Sequence, residues 1–204
     1  MIEFNKVLDA NEKVLWEGKP QFLPYLLSVA PFMLFGFVFM VFSGFIVFPL
    51  IIKTGTLWPL LIPHFWIGFV IFFGAPLYSV LVYKYLYYII TDKRIIFQSG
   101  LIGRDFKMVD YNQVTNAEVN VGVLDKLFGK NSGSILVSSA GTFAQGRYGP
   151  IAKPYVMSNI TDPYEVFKFF KQVSYDIKTD IQYPNKLRPS ENPGYKTDYN
   201  PDKK

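Results

Sequence analysis

Residue types that could do chemistry are sparse in this chain and far apart. The single histidine, His64, sits between Pro63 and Phe65 with no carboxylate close in sequence, so it reads as an interfacial side chain rather than a metal ligand or proton relay. Cysteine is absent, which excludes disulfides, zinc–thiolate sites and thiol nucleophiles. Asp92, Asp105, Asp110, Glu118 and Asp125 fall in strand and turn positions, and most of them read as solvated faces rather than as a pair for general acid–base work. The Gly141–Gly149 stretch is glycine-bearing, but no Lys-Ser/Thr pair follows it, so it is a loop and not a phosphate cradle. No G-x-S-x-G elbow occurs. The expectation is no catalytic residue, no metal ligand and no cofactor.

The stretch that must position everything else is Phe22–Tyr83, whose only charged side chain is Lys53. The apolar blocks Phe22–Ile52 and Thr54–Tyr83 each exceed the roughly 20 residues that cross a hydrocarbon core of about 30 Å. A signal peptide is excluded by the length of the first block and the lack of a basic lead directly before it. A re-entrant hairpin is the alternative raised by six prolines, but only Pro76 lies well inside a block, and spanning helices tolerate such kinks. Two spans are expected, near Pro31–Leu50 and Ile62–Tyr83. Neither contains a mid-membrane charge, which argues against a channel or proton-coupled transporter. Lys6, Lys13 and Lys19 precede the first span and Lys84, Lys93 and Arg94 follow the second, so both termini are expected on the cytoplasmic side of the cell membrane. Trp58 and Trp66 fit an outer interfacial belt, and Lys84 a snorkelling anchor at the inner exit.

Residues 1–21 read as a polar lead-in whose Trp16 rests at the headgroups, or alternatively as a segment whose Val14–Trp16 adds a strand to the soluble part. The pattern leaves both open. After the second span the period changes. Tyr85–Ile90, Ile95–Gln98, Phe106–Val109, Ala117–Val121, Ser134–Ser139 and Tyr155–Met157 read as strands, and Leu124–Phe128 as a helical turn. Asp162, Pro163 and Glu165 read as the start of a helix with a capping box, and Val166, Phe167, Phe170 and Val173 as its apolar stripe. Residues 84–173 make the soluble domain. Residues 174–204, with four prolines and no periodicity, read as a disordered tail. The net charge of +5 contains no basic run, so no nucleic-acid partner is expected.

Several short segments taken in order resemble one family. They are Trp16-Glu17-Gly18-Lys19-Pro20, Tyr88–Arg94, Ser99-Gly100-Leu101-Ile102, Leu124–Gly129 with Gly133-Ser134-Ile135, and Asn159–Glu165. Over residues 12–173 the chain resembles bacterial pleckstrin-homology (PH)-like domain proteins of the YdbS-like type. The resemblance implies a membrane helical hairpin followed by a mainly β PH-like barrel of two bent antiparallel sheets capped by a C-terminal α-helix. It supplies no catalytic set and no ligand. Family members often carry several basic residues after the Gly100 turn, where this chain has Gly103-Arg104-Asp105, which weakens an anionic-ligand reading there.

The functional expectation is a non-enzymatic, membrane-anchored module that recognises a protein or peptide partner. A self-assembling homo-oligomer in the bilayer, cued by Gly36, Gly44, Gly68 and Gly74, and an anionic-lipid sensor are the alternatives. Lys93 and Arg94 read first as a solvated turn and second as a partner-facing contact. An upright strand at about 3.3 Å per residue would hold them about 20 Å from the lipid, beyond two Debye lengths. Leu101 and Ile102, on the next turn, are expected at the membrane interface.

Overall fold

The computed structural model describes residues 3–139, 143–146, 149–152 and 154–182. The chain divides into two compact units, one of residues 1–21 with 85–204 and the other Phe22–Lys84.

The second unit is the hairpin. A short helix α1 (Phe22–Leu27) leads to α2 (Ala30–Thr54), and α3 (Pro63–Tyr83) returns antiparallel to it. Both long helices are long and apolar enough to cross a membrane, and only 22% and 17% of their most apolar windows are buried. A core helix of a soluble protein would bury far more. Gly55, in the left-handed region at φ +65°, ends α2. The helices meet at Gly36 and Gly68. A Cβ on Gly36 would lie 2.6 Å from the Phe72 amide nitrogen, and one on Gly68 2.6 Å from that of Met40. Two of the four glycines expected to mediate self-association are therefore taken up by the hairpin's own crossing.

The first unit holds two larger sheets. Sheet one has the order β1 (Val14–Gly18), β2 (Tyr87–Thr91), β3 (Arg94–Ser99), β4 (Asp105–Asp110). Sheet two has the order β5 (Val114–Asn120), β6 (Ser132–Ser139), β9 (Tyr155–Thr161), and all pairings are antiparallel. All six strands read from the sequence are present. The first strand is not among residues 84–173: β1 precedes the hairpin and pairs with β2, Trp16 opposite Ile90. The 1–21 segment is thus part of the soluble unit, which settles the two readings of it. The loop expected over Ala140–Tyr148 carries half of a small hairpin, β7 (Phe143–Gly146) with β8 (Gly149–Ala152).

The main core lies between the sheets and α5 (Pro163–Gln182), and contains Ile90, Ile95, Val109, Ile135, Val137, Met157, Phe170 and Val173. The expected stripe on the last helix continues one turn to Ile177, so the domain boundary expected after 173 is corrected to at least Gln182. The physical reason is spacing: Ile177 follows Val173 by four residues, on the same face. The remainder of the expected tail, 183–204, lies outside the described residues. The expected capping box differs too. Glu165 pairs with Lys168 at 2.9 Å, and the Asp162 carboxylate accepts from Asn131 Nδ2.

β2 and β3 are buried on both faces, with Ile89 and Ile96 pointing away from the main core. Phe4, Val7 and Leu8 of the N-terminal arm cover them. An antiparallel sheet with two apolar faces needs such a cover, because uncompensated apolar surface costs roughly 25 cal/mol per Å².

Candidate functional site

The turn between β2 and β3 carries the first candidate residues. Thr91 is fully buried, and its Oγ accepts from the amides of Lys93 (3.1 Å) and Arg94 (3.0 Å), which closes the turn. Glu12, on the arm, brings a carboxylate whose side chain is completely buried. Arg94 grips it with both Nε (3.1 Å) and Nη2 (2.7 Å); the Asp9 amide (2.8 Å) and the Thr91 hydroxyl (2.7 Å) complete its hydrogen bonds. Burial alone would raise the Glu12 pKa, but these donors and the Arg94 charge outweigh it and hold Glu12 below the usual carboxylate range. Hydrogen bonding to Glu12 in turn pushes the Arg94 pKa up, against a desolvation that would lower it.

Arg94 therefore departs from the expectation of a solvated or partner-facing side chain. It is an internal clamp that also reaches the Val7 carbonyl (3.2 Å) and Asp9 (3.1 Å) and fixes the arm on sheet one. Lys93 stays half-exposed, 3.7 Å from Asp9. The acidic partners lie some eighty positions upstream, so no local pattern announced them. Of the two readings of Trp16, the added strand is the one the fold contains: the residue sits on β1, packs on the main core and lies over Gly18. Trp58 is exposed in a 3₁₀ turn between α2 and α3, and Lys84 is exposed directly after α3. His64 stacks on Phe39 at 5.1 Å, an aromatic contact within the hairpin.

The next turn, between β3 and β4, is built by Gly100 at φ +106°, a conformation L side chains rarely adopt. Arg104 braces it. Its guanidinium donates to the carbonyls of Gly100 (3.3 Å), Leu101 (3.4 Å) and Gly103 (3.4 Å), reaches Glu3 at 3.3 Å, and covers the Tyr85 ring at 3.7 Å. Ile102 is left fully exposed at the tip, with Leu101 half-buried beside it.

A third cluster surrounds α4 (Val123–Phe128). Asp125 is buried, unlike the solvated faces that most of the scattered acids were expected to form. Its carboxylate accepts from Ser132 Oγ (2.6 Å), Asn159 Nδ2 (2.9 Å) and the Gly122 amide (3.1 Å). These contacts fix α4 to sheet two. Gln21, the last residue before α1, is bound both ways to Lys130: it donates to the carbonyl (2.7 Å) and accepts from the amide (2.9 Å). Its own backbone amide donates to the Asn159 carbonyl at 2.7 Å.

Among the described residues no group of three or more His, Asp or Glu is placed to hold a metal ion. The polar clusters are devoted to turns, the arm and α4. The two larger sheets have four edges, and three of them are irregular. β1 is bulged at Leu15, between Val14 and Trp16, β9 runs through Asn159 at φ +50°, and β5 is shifted near Thr115 with its Ala117 amide taken by Asn116 Oδ1 (2.9 Å). β4 pairs with β3 without a break from Ser99↔Asp105 to Arg94↔Asp110.

Two open antiparallel sheets, a C-terminal helix in the core and a preceding apolar hairpin define a PH-like module. A family model described as the bacterial PH domain matches residues 26–158, and the chain belongs to that family. The family is generally non-catalytic. No curated protein and no solved structure matches the chain.

Proposed function

We propose that this chain is a non-enzymatic, membrane-anchored binding module that takes an extended protein or peptide segment as an added strand along β4. The observation that supports it is the regular β4 edge. Among the described residues the outer edge of β4 has no partner strand, and such an unbroken edge presents a row of amides and carbonyls that a partner backbone can complete. Asp105, Lys107 and Asp110, all exposed, are in position to select the partner by charge. The edge stands at the cytoplasmic face, with both flanks of the hairpin on that side. Pairing of β1 with β2 supports the flanks sharing a side, and the lysines and Arg94 near the span ends support which side it is. With Arg94 engaged by Glu12, only Lys93 of the first turn is left for an anionic ligand, which favours a peptide over a lipid headgroup there.

The test uses a photo-crosslinking residue at Asp105 in intact membranes, combined with Lys107→Pro and Met108→Pro. Successive amides on a strand point to opposite sides, so one proline breaks a bond to β3 and the other removes only an outward donor. The expected result is a polypeptide adduct that disappears in the variant whose thermal melt is unchanged. Adducts indifferent to both prolines, or none from this edge, would refute strand addition.

A further inference from the structure

Among the described residues, the most exposed aliphatic side chains of the soluble unit are Ile102 (100%), Val123 (71%) and Leu127 (70%). Scattered apolar residues on a surface need no explanation, but these fall on only two segments. Each segment is fastened to one of the two places where the chain joins the hairpin. The Ile102 turn is held through Arg104 to Tyr85, two residues after α3 ends at Tyr83. The α4 segment is held through Lys130 to Gln21, directly before α1 begins at Phe22. Within α4, Val123 and Leu127 are four residues apart on one face, and Phe128 beside them is 48% exposed. The opposite face is locked inward by Asp125, the only acid on α4, so the helix cannot turn these residues into the core without breaking three hydrogen bonds. Lys126 and Lys130 are exposed alongside.

We propose that α4 and the Ile102 turn are a two-point foot by which the soluble unit seats on the bilayer that holds its own hairpin. Val123, Leu127, Phe128 and Ile102 enter the boundary between headgroups and acyl chains, and Lys126 and Lys130 lie at the lipid phosphates. An apolar ridge flanked by lysines is the composition of an interfacial element. The occupant follows from attachment: both segments are tied to residues that run directly into the apolar hairpin. The inference rests on the hairpin crossing the membrane, and its test separates the two.

The chain has no cysteine, so single nitroxide labels can be placed at Leu127, Ile102, Thr115 and Phe45 in the full-length protein. Thr115 is exposed on β5 and Phe45 is exposed on α2. The labelled proteins are placed in nanodiscs of equal parts phosphatidylcholine and phosphatidylglycerol, and accessibility to oxygen and to a water-soluble nickel relaxant is measured. Labels at Leu127, Ile102 and Phe45 are expected to lose nickel accessibility and gain oxygen accessibility, while Thr115 remains aqueous. With Val123→Ser and Phe128→Ser, surface changes that leave the melt unaltered, the Leu127 label is expected to regain nickel accessibility. If Phe45 lies in lipid and Leu127 is as aqueous as Thr115, the foot is refuted and the hairpin stands. If Leu127 is shielded by spin–spin contact between copies, the patch is a self-association surface and the foot is again refuted. A Phe45 label outside lipid would overturn the hairpin reading and this proposal with it.

Discussion

The Glu12–Arg94 clamp makes an asymmetric prediction. Arg94→Ala strands a fully buried carboxylate with only the Asp9 amide and the Thr91 hydroxyl as donors. Removing one partner of a buried pair costs about 3–5 kcal/mol, because the remaining charge is uncompensated. Glu12→Ala leaves Arg94 with the Val7 carbonyl, with Asp9, and with a side chain already 17% exposed that can turn further to water. That loss is of hydrogen bonds to a charged group, about 1.5–3 kcal/mol. The double variant Glu12→Ala/Arg94→Ala should therefore be more stable than Arg94→Ala alone, since the stranded charge has gone. Thermal and denaturant unfolding of the full chain in detergent gives the three values. Hydrogen exchange over residues 4–12 shows whether the loss appears as local release of the arm. Arg94→Lys should rescue only in part, because an ammonium does not supply the two-pronged grip. Equal costs for the two single variants, or a double variant less stable than Arg94→Ala, would refute the account of the clamp.

Three further outcomes follow from the same geometry. Glu12 titrates lower in the folded than in the unfolded chain, so its contribution to stability is present above its unfolded value of about 4.5 and is lost as pH falls through the folded pKa; Glu12→Gln should remove this part of the acid sensitivity of arm protection. Gly68→Ala should push α2 and α3 apart at a cost of about 1–3 kcal/mol, read from detergent-titrated unfolding of the hairpin, because the new methyl meets the Met40 backbone and not a flexible side chain. Ending the chain after Val173 should destabilise the soluble unit at least as much as Ile177→Ala, which should cost roughly 2–5 kcal/mol by thermal melt.

Local pattern made much of this architecture legible. The hairpin follows from uninterrupted apolar length, the strands after it from β-branched and aromatic runs, and α5 from Val166, Phe170 and Val173. What escaped is what depends on distant partners. Arg94 looked like a turn residue because Glu12 is 82 positions away. Asp125 looked solvated because Ser132 and Asn159 reach it only after two strands are paired. A signal for the arm was nonetheless present. Tyr88–Ile90 and Ile95–Phe97 are apolar without alternation, which in an antiparallel sheet demands cover on both faces. Phe4, Val7 and Leu8 were the apolar residues left over to supply it. The end of α5 was missed because Ser174, Asp176 and Thr179 are polar yet buried, so composition pointed to solvent while the spacing of Val173 and Ile177 pointed inward.

The strand that opens sheet one is made before the hairpin, and its partner after it. During synthesis β1 emerges first and stays unpaired until α2, α3 and β2 have followed. Its pairing then becomes a check on insertion. If only one of the two helices crossed, β1 and β2 would be left on opposite sides of the bilayer, and no rearrangement of the soluble part could join them. Such a chain would lack Trp16 in its core and the arm over Ile89 and Ile96. If the hairpin spans the membrane as proposed, those exposed side chains would mark such a chain for quality-control proteases, and completion of sheet one would report that both helices had been threaded.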